Sequence, residues 1–237
     1  MNIIRIPGLA DYQKTLRMQE ELVRAHQDDP EREDELLLLE HASVYTIGRT
    51  RDHASLHPGT VLPFPIHEIN RGGQATYHGP GQLVGYPVTD LNRRGRDLHA
   101  YVTSLENVLI EACARFGVTA RIREGLVGVW VEDRKIASIG VGVKKWIAMH
   151  GFAINLTPES LPPFQAITPC GIQGVQMTCL ENEIPPSLPK EDLLKRFGDA
   201  FGQLGAERNS VCRVLTNHRS HQDTVHLLGN ILITSFF

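Results

Sequence analysis

The pattern of apolar and polar positions predicts helices and strands from the start of the chain. A short edge strand, Asn2 to Ile6, is expected to stop at Pro7 and Gly8. The apolar spacing then becomes helical, with Asp11 placed as the N-cap. The predicted buried face of this helix holds Tyr12, Leu16, Gln19, Leu22 and Val23. After the charged loop QDDPEREDE, the apolar run ELLLLEH (Glu35 to His41) is typical of a buried strand.

A third strand is expected around SVYTIG and a fourth at IHEIN, on either side of a proline-rich loop at residues 50–65. A long amphipathic helix follows, with Asp97 as its N-cap and Gly117 at its end. Its apolar positions are Leu98, Tyr101, Val102, Leu105, Val108, Leu109 and Ala112.

Residues 118–156 predict antiparallel strands. Alternation is clear in VGVWVE, Asp133-Arg134 is expected to turn, and KIASIGVGV, KWIAMHG and FAINL follow. The segment TPESLPPFQAITPCGIQG is irregular, and a last amphipathic helix is predicted from Glu191 to Leu204. Helices mixed with antiparallel strands indicate one α+β domain over residues 1–205.

The tail, residues 206–237, has no role that the sequence assigns. It carries His218, His221 and His226, whose spacing is more typical of a solvated tail than of a metal site.

Composition narrows the function classes. Hydrophobic residues make up 41% and charged residues 22%, and the formal net charge of −3 does not favour a nucleic-acid binder. The cysteines are Cys113, Cys170, Cys179 and Cys212, with no CxxC and no zinc-ligand spacing. Reduced thiols, no signal-peptide core and no membrane-length apolar run lead us to expect a cytoplasmic protein without metal, cofactor or membrane contact.

The glycine-rich segment RGGQATYHGPGQ (Arg71 to Gln82) is expected to be a loop whose backbone closely approaches a ligand or another segment. A tight surface loop between two strands is the alternative. It is not a phosphate loop, because it lacks GxxxxGK[ST] and no helix follows directly.

Cys170 is the cysteine most suited to chemistry. Cys113 and Cys179 have apolar neighbours typical of packed thiols, whereas Cys170 lies in irregular chain between Pro169 and Gly171. Gly171 is expected to let backbone N–H groups point at a bound carbonyl oxygen. An ordinary loop cysteine is the alternative.

Lys135 opens the strand KIASIGVG, where a solvated lysine at a strand end is the common case. Lys144 and Lys145 are similarly placed, and residue chemistry alone does not choose among the three.

Three blocks together resemble the signature segments of the lipoyl(octanoyl) transferases of lipoate biosynthesis. They are RGGQATYHGPGQLVGYPV, KIASIGVGVKKWIAMHGFAINL and ITPCGIQGVQMTCL, with order and spacing kept. The resemblance runs from about Ile3 to Leu204. It implies the α+β fold of the biotin and lipoate protein ligases, with a mixed, largely antiparallel sheet.

The resemblance also implies the site. The family's acyl-thioester cysteine falls on Cys170 and its lysine partner on Lys135. The implied substrate-binding positions are Arg71, Gly72, Gly73, Gln74, Ala75, Thr76, Tyr77, His78, Ser138, Ile139, Gly140, Gly151, Phe152 and Ala153. His78 is a candidate to orient the dyad or the acyl carbonyl, and the Ile139 and Phe152 regions are candidates for an acyl slot.

The implied donor is octanoyl acyl carrier protein. The implied acceptors are lipoyl domains of 2-oxoacid dehydrogenase subunits and the glycine-cleavage H protein, with a thioester intermediate and no ATP. Carrier proteins are acidic, so a local basic patch is expected. Two clusters are candidates, Arg49 with Arg51, and Arg93, Arg94 and Arg96, and ordinary surface charge is their alternative.

Three rival functions share these residues. An ATP-dependent lipoate or biotin ligase on the same fold would need no nucleophilic cysteine. A cysteine hydrolase would pair Cys170 with His78 or His150. A non-catalytic lipoyl- or acyl-binding module would have no use for Cys170 and Lys135.

Overall fold

The computed structural model describes residues 1–49, 55–56, 61–187 and 192–207 of the 237-residue chain. The helices are α1 (Tyr12–Asp28), α2 (Leu98–Ala114), α3 (Leu180–Glu183) and α4 (Leu193–Glu207). The strands are β1 (Asn2–Ala10), β2 (Glu35–His41), β3 (Val44–Ile47), β4 (Ile66–Glu68), β5 (Thr76–His78), β6 (Gln82–Asp90), β7 (Arg121–Arg123), β8 (Leu126–Val131), β9 (Arg134–Lys144), β10 (Ile147–Asn155) and β11 (Gln176–Met177). Within these ranges, no helix is long and apolar enough to cross a membrane.

The described strands form two sheets. The larger has the order β1-β2-β6-β10-β9-β8-β7, and β11 pairs with β9. In it, β1 runs parallel to β2 and β11 parallel to β9, while the other neighbours are antiparallel. The smaller sheet has the order β4-β3-β5. The expected α+β class with a mixed, largely antiparallel sheet is confirmed.

Helices cover both faces of the larger sheet. Leu36 and Leu38 of β2 pack in the core cluster that includes α2 and α4. Leu37 and Leu39 alternate to the other face, where Leu22 of α1 packs against their cluster. A strand buried on both faces is apolar without alternation, which explains the run ELLLLEH.

The predicted helix starts of α1 and α2 are confirmed by their caps. The Asp11 carboxylate accepts a hydrogen bond from the Lys14 N–H at 2.8 Å, and Asp97 accepts one from Ala100 at 2.9 Å. Gly117 follows α2 with φ +72°, a conformation that costs glycine little.

Several predicted boundaries are wrong. Strand β1 passes Pro7 and Gly8 and reaches Ala10, because a register shift between Arg5 and Leu9 accommodates them at the sheet edge. Residues 76–78 of the glycine-rich segment are not loop but strand β5, because they pair with β3.

The hairpin turns also differ from expectation. The β8–β9 turn lies at residues 132–133, one residue early, and Arg134 already belongs to β9. The segments KWIAMHG and FAINL form one strand, β10, that pairs with β6 and β9. Helix α4 begins at Leu193, two residues later than predicted, and extends to Glu207.

Some expectations fall outside the described residues. They concern Arg51, Cys212, most of the predicted loop at residues 50–65, and the tail beyond residue 207 with its three histidines.

Candidate active site

Cys170 lies in a short 3₁₀ turn, Pro169–Gly171, between β10 and β11. Its backbone has φ +54° and ψ +18°, a left-handed conformation that is uncommon for a non-glycine residue and recurs at functional sites. The Cys170 N–H donates to the Ala75 carbonyl at 3.0 Å. The glycine-rich segment therefore anchors the turn that carries the thiol.

Lys135 is not a solvated lysine at a strand end: its side chain is only 1% exposed. Its Nζ donates to the Cys170 Sγ at 3.3 Å and lies 5.4 Å from the centroid of the Trp130 ring. The Thr178 N–H donates to the Lys135 carbonyl at 3.0 Å, which holds the chain after Cys170 against β9. Of the three candidate lysines, the structure brings Lys135 to the thiol.

A bulge in β9 lets Ser138 join this pair. Val129 lies opposite Ala137 but Trp130 lies opposite Lys135, so β9 carries one extra residue at Ile136. In a regular strand, residues three apart point to opposite faces. Here the Cys170 Sγ contacts both Lys135 Nζ and, at 3.9 Å, the Ser138 hydroxyl.

The pKa of Cys170 lies below its ordinary value although burial alone would raise it. The charges of Lys135 and Arg71 lower it, as do the hydrogen bonds with Lys135 and Ser138. By contrast, burial raises the pKa of Cys113 to about 12 and that of Cys179 to about 11. A thiolate is therefore favoured at Cys170 and disfavoured at the two packed cysteines.

The segment around Arg71 lies directly on β9. The Gly72 N–H donates to the Val141 carbonyl at 2.9 Å, and a side chain at Gly140 would meet the Gly72 carbonyl oxygen at 3.0 Å. The Arg71 guanidinium is buried and donates to the Gly72 carbonyl and to the carbonyl and hydroxyl of Thr46. Close backbone approach, the reason to expect glycines here, is confirmed.

The Gln74 side chain explains why position 171 is a glycine, a reason that the sequence alone does not show. A Cβ on Gly171 would lie 1.8 Å from the Gln74 Oε1, so this glycine leaves room for the amide. The expected oxyanion role is not borne out. The N–H groups of Cys170, Gly171 and Ile172 already donate to the carbonyls of Ala75, Thr168 and Pro169.

Three predicted substrate-binding residues have side chains that pack in the cores. Tyr77 packs edge-on to Phe164 at 5.7 Å between ring centroids, beneath the smaller sheet. Phe152 packs against Phe201 of α4 at 4.5 Å, and Ile139, its partner across the sheet, packs on the same core.

The other predicted positions on β10 face the opposite side or serve the backbone. Ala153 lies opposite Ser138, in the cluster beneath α1. Gly151 pairs with Gly140, and a Cβ on it would lie 2.4 Å from the Gly85 carbonyl oxygen. Of the predicted positions outside β10, Gly73 has φ +85° and Thr76 is buried in β5.

His78 belongs to a histidine–tyrosine cluster formed by Tyr12, His41, His78, Tyr86 and His150. Burial lowers the pKa of His41 to about 4 and those of His78 and His150 to about 3. Within the described ranges, the sulfur of Cys170 forms hydrogen bonds with Lys135 and Ser138 and with no histidine. This geometry argues against the Cys–His hydrolase.

Residues 11–202 match the family described as the lipoyl protein ligase A/B catalytic domain. The chain belongs to this family.

Relatives of this lipoyl protein ligase A/B member are named octanoyltransferases. The protein from Citrifermentans bemidjiense is 47% identical over 202 residues, which cover 85% of this chain and 96% of that relative. The protein from Geobacter sulfurreducens is 49% identical over 207 residues, covering 87% and 86%.

Solved structures extend the likeness in fold. The putative lipoate protein ligase from T. acidophilum with bound lipoic acid superposes with a TM-score of 0.65 at 14% identity, covering 87% of this chain and 84% of that one. A lipoate-protein ligase A bound with ATP gives a TM-score of 0.61 at 11% identity, covering 87% and 85%. At such identities the likeness shows the fold alone.

Glu106 and Gly128 of this lipoyl protein ligase A/B member are not among the residues that the sequence predicts for the site. Glu106 of α2 is buried, and its Oε1 accepts a hydrogen bond from the Gly128 N–H at 2.9 Å. A Cβ on Gly128 would lie 2.6 Å from the Lys135 Cε. The available signal was a carboxylate within the apolar stripe of α2, between Val102 and Leu109.

Proposed function

We propose that this chain transfers an octanoyl group from octanoyl acyl carrier protein to a lysine of a lipoyl domain, through a thioester on Cys170. Lipoyl domains of 2-oxoacid dehydrogenase subunits and the glycine-cleavage H protein are the proposed acceptors. The observation that carries the proposal is the 3.3 Å contact between Lys135 Nζ and Cys170 Sγ. The relatives' name, octanoyltransferase, supports the acyl group.

In the first half-reaction the Cys170 thiolate attacks the thioester carbonyl of the donor. The bond from that carbonyl carbon to the carrier sulfur breaks, and the departing thiolate takes a proton from the Lys135 ammonium. Lys135 is the group placed to give it, because its Nζ already lies at the reacting sulfur. The products are octanoyl-Cys170, a neutral Lys135 and the free carrier thiol.

In the second half-reaction the acceptor lysine attacks octanoyl-Cys170. Lys135 accepts the proton that the attacking amine loses, and the Cys170 thiolate leaves. This restores the starting pair of charges, so one lysine serves both steps. Exchange of a thioester for an amide is downhill, and the chemistry needs no ATP. Ping-pong kinetics are expected.

Charge on the surface restricts where an acidic carrier could dock. Arg93 and Arg94 form ion pairs with the buried Asp34, so both are engaged in structural contacts. Arg96, the third member of that cluster, donates to the Asn92 Oδ1 at 3.0 Å. Arg49 is exposed. Its backbone N–H donates to the Arg71 carbonyl at 2.9 Å, which places the residue beside the site. We therefore assign the docking charge to Arg49 rather than to Arg93, Arg94 and Arg96.

Intact-protein mass spectrometry tests the proposal. The full chain is mixed with octanoyl acyl carrier protein, as wild type, as Cys170→Ala and as the control Cys179→Ala. A hydroxylamine-labile gain of one octanoyl group is expected in the wild type and the control and not in Cys170→Ala. If the wild type gains no mass but modifies a lipoyl domain with octanoate and ATP, the ligase reading replaces this one.

A further inference from the structure

Lys135 and Arg71 place two buried cations around one sulfur. In the described part of the chain, Lys135 Nζ has a single hydrogen bond, to Cys170, although an ammonium offers three donors. Arg71 is also buried, and its charge acts on the same thiol. Buried charges are stable only when paired, and one thiolate does not balance two cations.

Glu106 supplies a second negative charge. It lies on α2, is 4% exposed, and accepts a hydrogen bond from the Gly128 N–H at 2.9 Å. The pKa of Glu106 lies above its ordinary value, because burial raises it by more than the Gly128 hydrogen bond and the charges of His99 and Lys135 lower it. The Glu106 carboxylate accepts from the Gly128 N–H, and the Lys135 side chain lies against the same glycine, so the two charged groups approach one residue.

Gly128 connects the carboxylate to the lysine by direct contact. A Cβ at this position would lie 2.6 Å from Lys135 Cε and 3.2 Å from Nζ, so the lysine side chain occupies the space above this glycine. Gly128 has φ +131°, a conformation that few side-chain-bearing residues adopt. The hydrogen bond from its N–H to Glu106 holds it there.

We propose that Glu106 is a positioning residue for the acyl transfer, which holds Gly128 open for Lys135 and balances the Lys135 ammonium beside Cys170. It does not touch the reacting atoms and acts through Lys135. Its part in catalysis rests on the proposed function, whereas its effect on the thiol does not need an acyl donor.

The simplest rival role is a structural tie between α2 and β8. The two roles differ in charge, because Glu106→Gln keeps an acceptor for the Gly128 N–H and removes the negative charge. The other titratable or charged groups that face this arrangement are His99, which acts on Glu106, and Arg71, which acts on Cys170. Both remain in the variant.

The test is the rate at which iodoacetamide alkylates Cys170 in the full chain as a function of pH, with the site identified by peptide mass. In Glu106→Gln the midpoint of the profile is expected to move about one unit to higher pH, with a tenfold slower reaction at pH 7. An unchanged profile would mean that only the hydrogen bond matters. A shift to lower pH would mean that Glu106 merely repels the thiolate. Either result overturns the proposal.

Glu111→Gln, another glutamate of α2, is the matched control and should leave the profile in place. Glu106→Ala removes both the charge and the acceptor, and its melting curve separates loss of fold from loss of charge. If the wild type forms no octanoyl adduct, the proposed function fails, while the alkylation comparison still decides the role of Glu106.

Discussion

Arg71 acts on two buried polar regions whose charge states differ. In one, the thiol of Cys170 lies against Lys135, and the neighbouring cations lower the pKa of the thiol despite burial. In the other, the histidine–tyrosine cluster, burial lowers the pKa of each of its three histidines and keeps them neutral. Burial therefore does not by itself determine ionisation. What differs is whether an opposite charge lies within contact.

The hydrogen bonds of the neutral region show why it tolerates Arg71. His41 bonds to the Tyr86 hydroxyl at 2.8 Å, and His78 bonds to the Gln82 Oε1 at the same distance. Both of these rings therefore have a polar partner that requires no charge. A proton on His78 or His150 would face the Arg71 guanidinium, whose charge lowers the pKa of both rings further.

The largest expected effect comes from breaking the charged region with Lys135→Met. Removal of the acid/base group should lower octanoyl transfer by about 10²- to 10⁴-fold. It should also slow alkylation of Cys170 at neutral pH, because the charge that favours the thiolate is gone. Lys144→Met, an exposed lysine at the end of the same strand, is the control and should retain activity. Equal losses in both variants would show that Lys135 has no special role.

The next largest effect is expected from acid, which protonates the histidine–tyrosine cluster. The folded pKa values of His41, His78 and His150 lie below the ordinary 6.5. As the pH falls below about 6.5, the unfolded chain therefore takes up protons that the folded chain does not. The free energy of unfolding should fall from there towards pH 4 by up to about 1.4 kcal/mol per pH unit for each histidine. Urea unfolding between pH 7.5 and 5 measures this slope.

His78→Gln isolates one contribution to that acid slope. Because glutamine does not titrate, the variant should lose stability less steeply than the wild type over the same pH interval. A variant slope equal to that of the wild type would mean that His78 does not resist protonation in the fold.

A smaller effect tests the contact between Gly128 and Lys135. Gly128→Ala would place its Cβ 2.6 Å from both the Ala137 carbonyl oxygen and Lys135 Cε, at φ +131°. We expect a loss of about 1–3 kcal/mol in the free energy of unfolding, together with reduced transfer. Gly125→Ala is a matched control, since Gly125 also has positive φ but open space around its Cβ position. If both variants behave alike, backbone strain and not contact with Lys135 is responsible.

The smallest effect sharpens the account of the thiol. The Ser138 hydroxyl lies 3.9 Å from Cys170 Sγ, a weaker contact than that of Lys135. Ser138→Ala should therefore slow Cys170 alkylation at neutral pH by only a few fold. A loss as large as that of Lys135→Met would show that the hydroxyl, and not the ammonium, governs the thiolate.

Local signals were enough to predict much of the fold. The bounds of β2 follow from an apolar run between charged and small residues, and α1 and α2 begin where Asp11 and Asp97 accept backbone hydrogen bonds. Strand β5 has no local signal, because its structure comes from pairing with β3, about thirty residues earlier along the chain, in a segment rich in glycine.

The site residues also differ in whether a local sequence signal reveals them. Cys170 was recognisable from its irregular, proline-flanked surroundings, whereas Lys135 could be selected only through resemblance. Its burial depends on a bulge in β9 and on a turn thirty-five residues away. The resemblance places Phe152 and Ile139 at the site through a signature block, and strand alternation turns their side chains into the core.

The most direct test of the thioester on Cys170 is a chase of the isolated octanoyl-enzyme. The wild type is loaded with octanoyl acyl carrier protein, separated from the donor, and mixed with a lipoyl domain in the absence of ATP. The account predicts that the octanoyl mass leaves the enzyme and appears on the lipoyl domain in equal amount. An octanoyl group that remains on Cys170, or is released as free octanoate while the lipoyl domain stays unmodified, would contradict it.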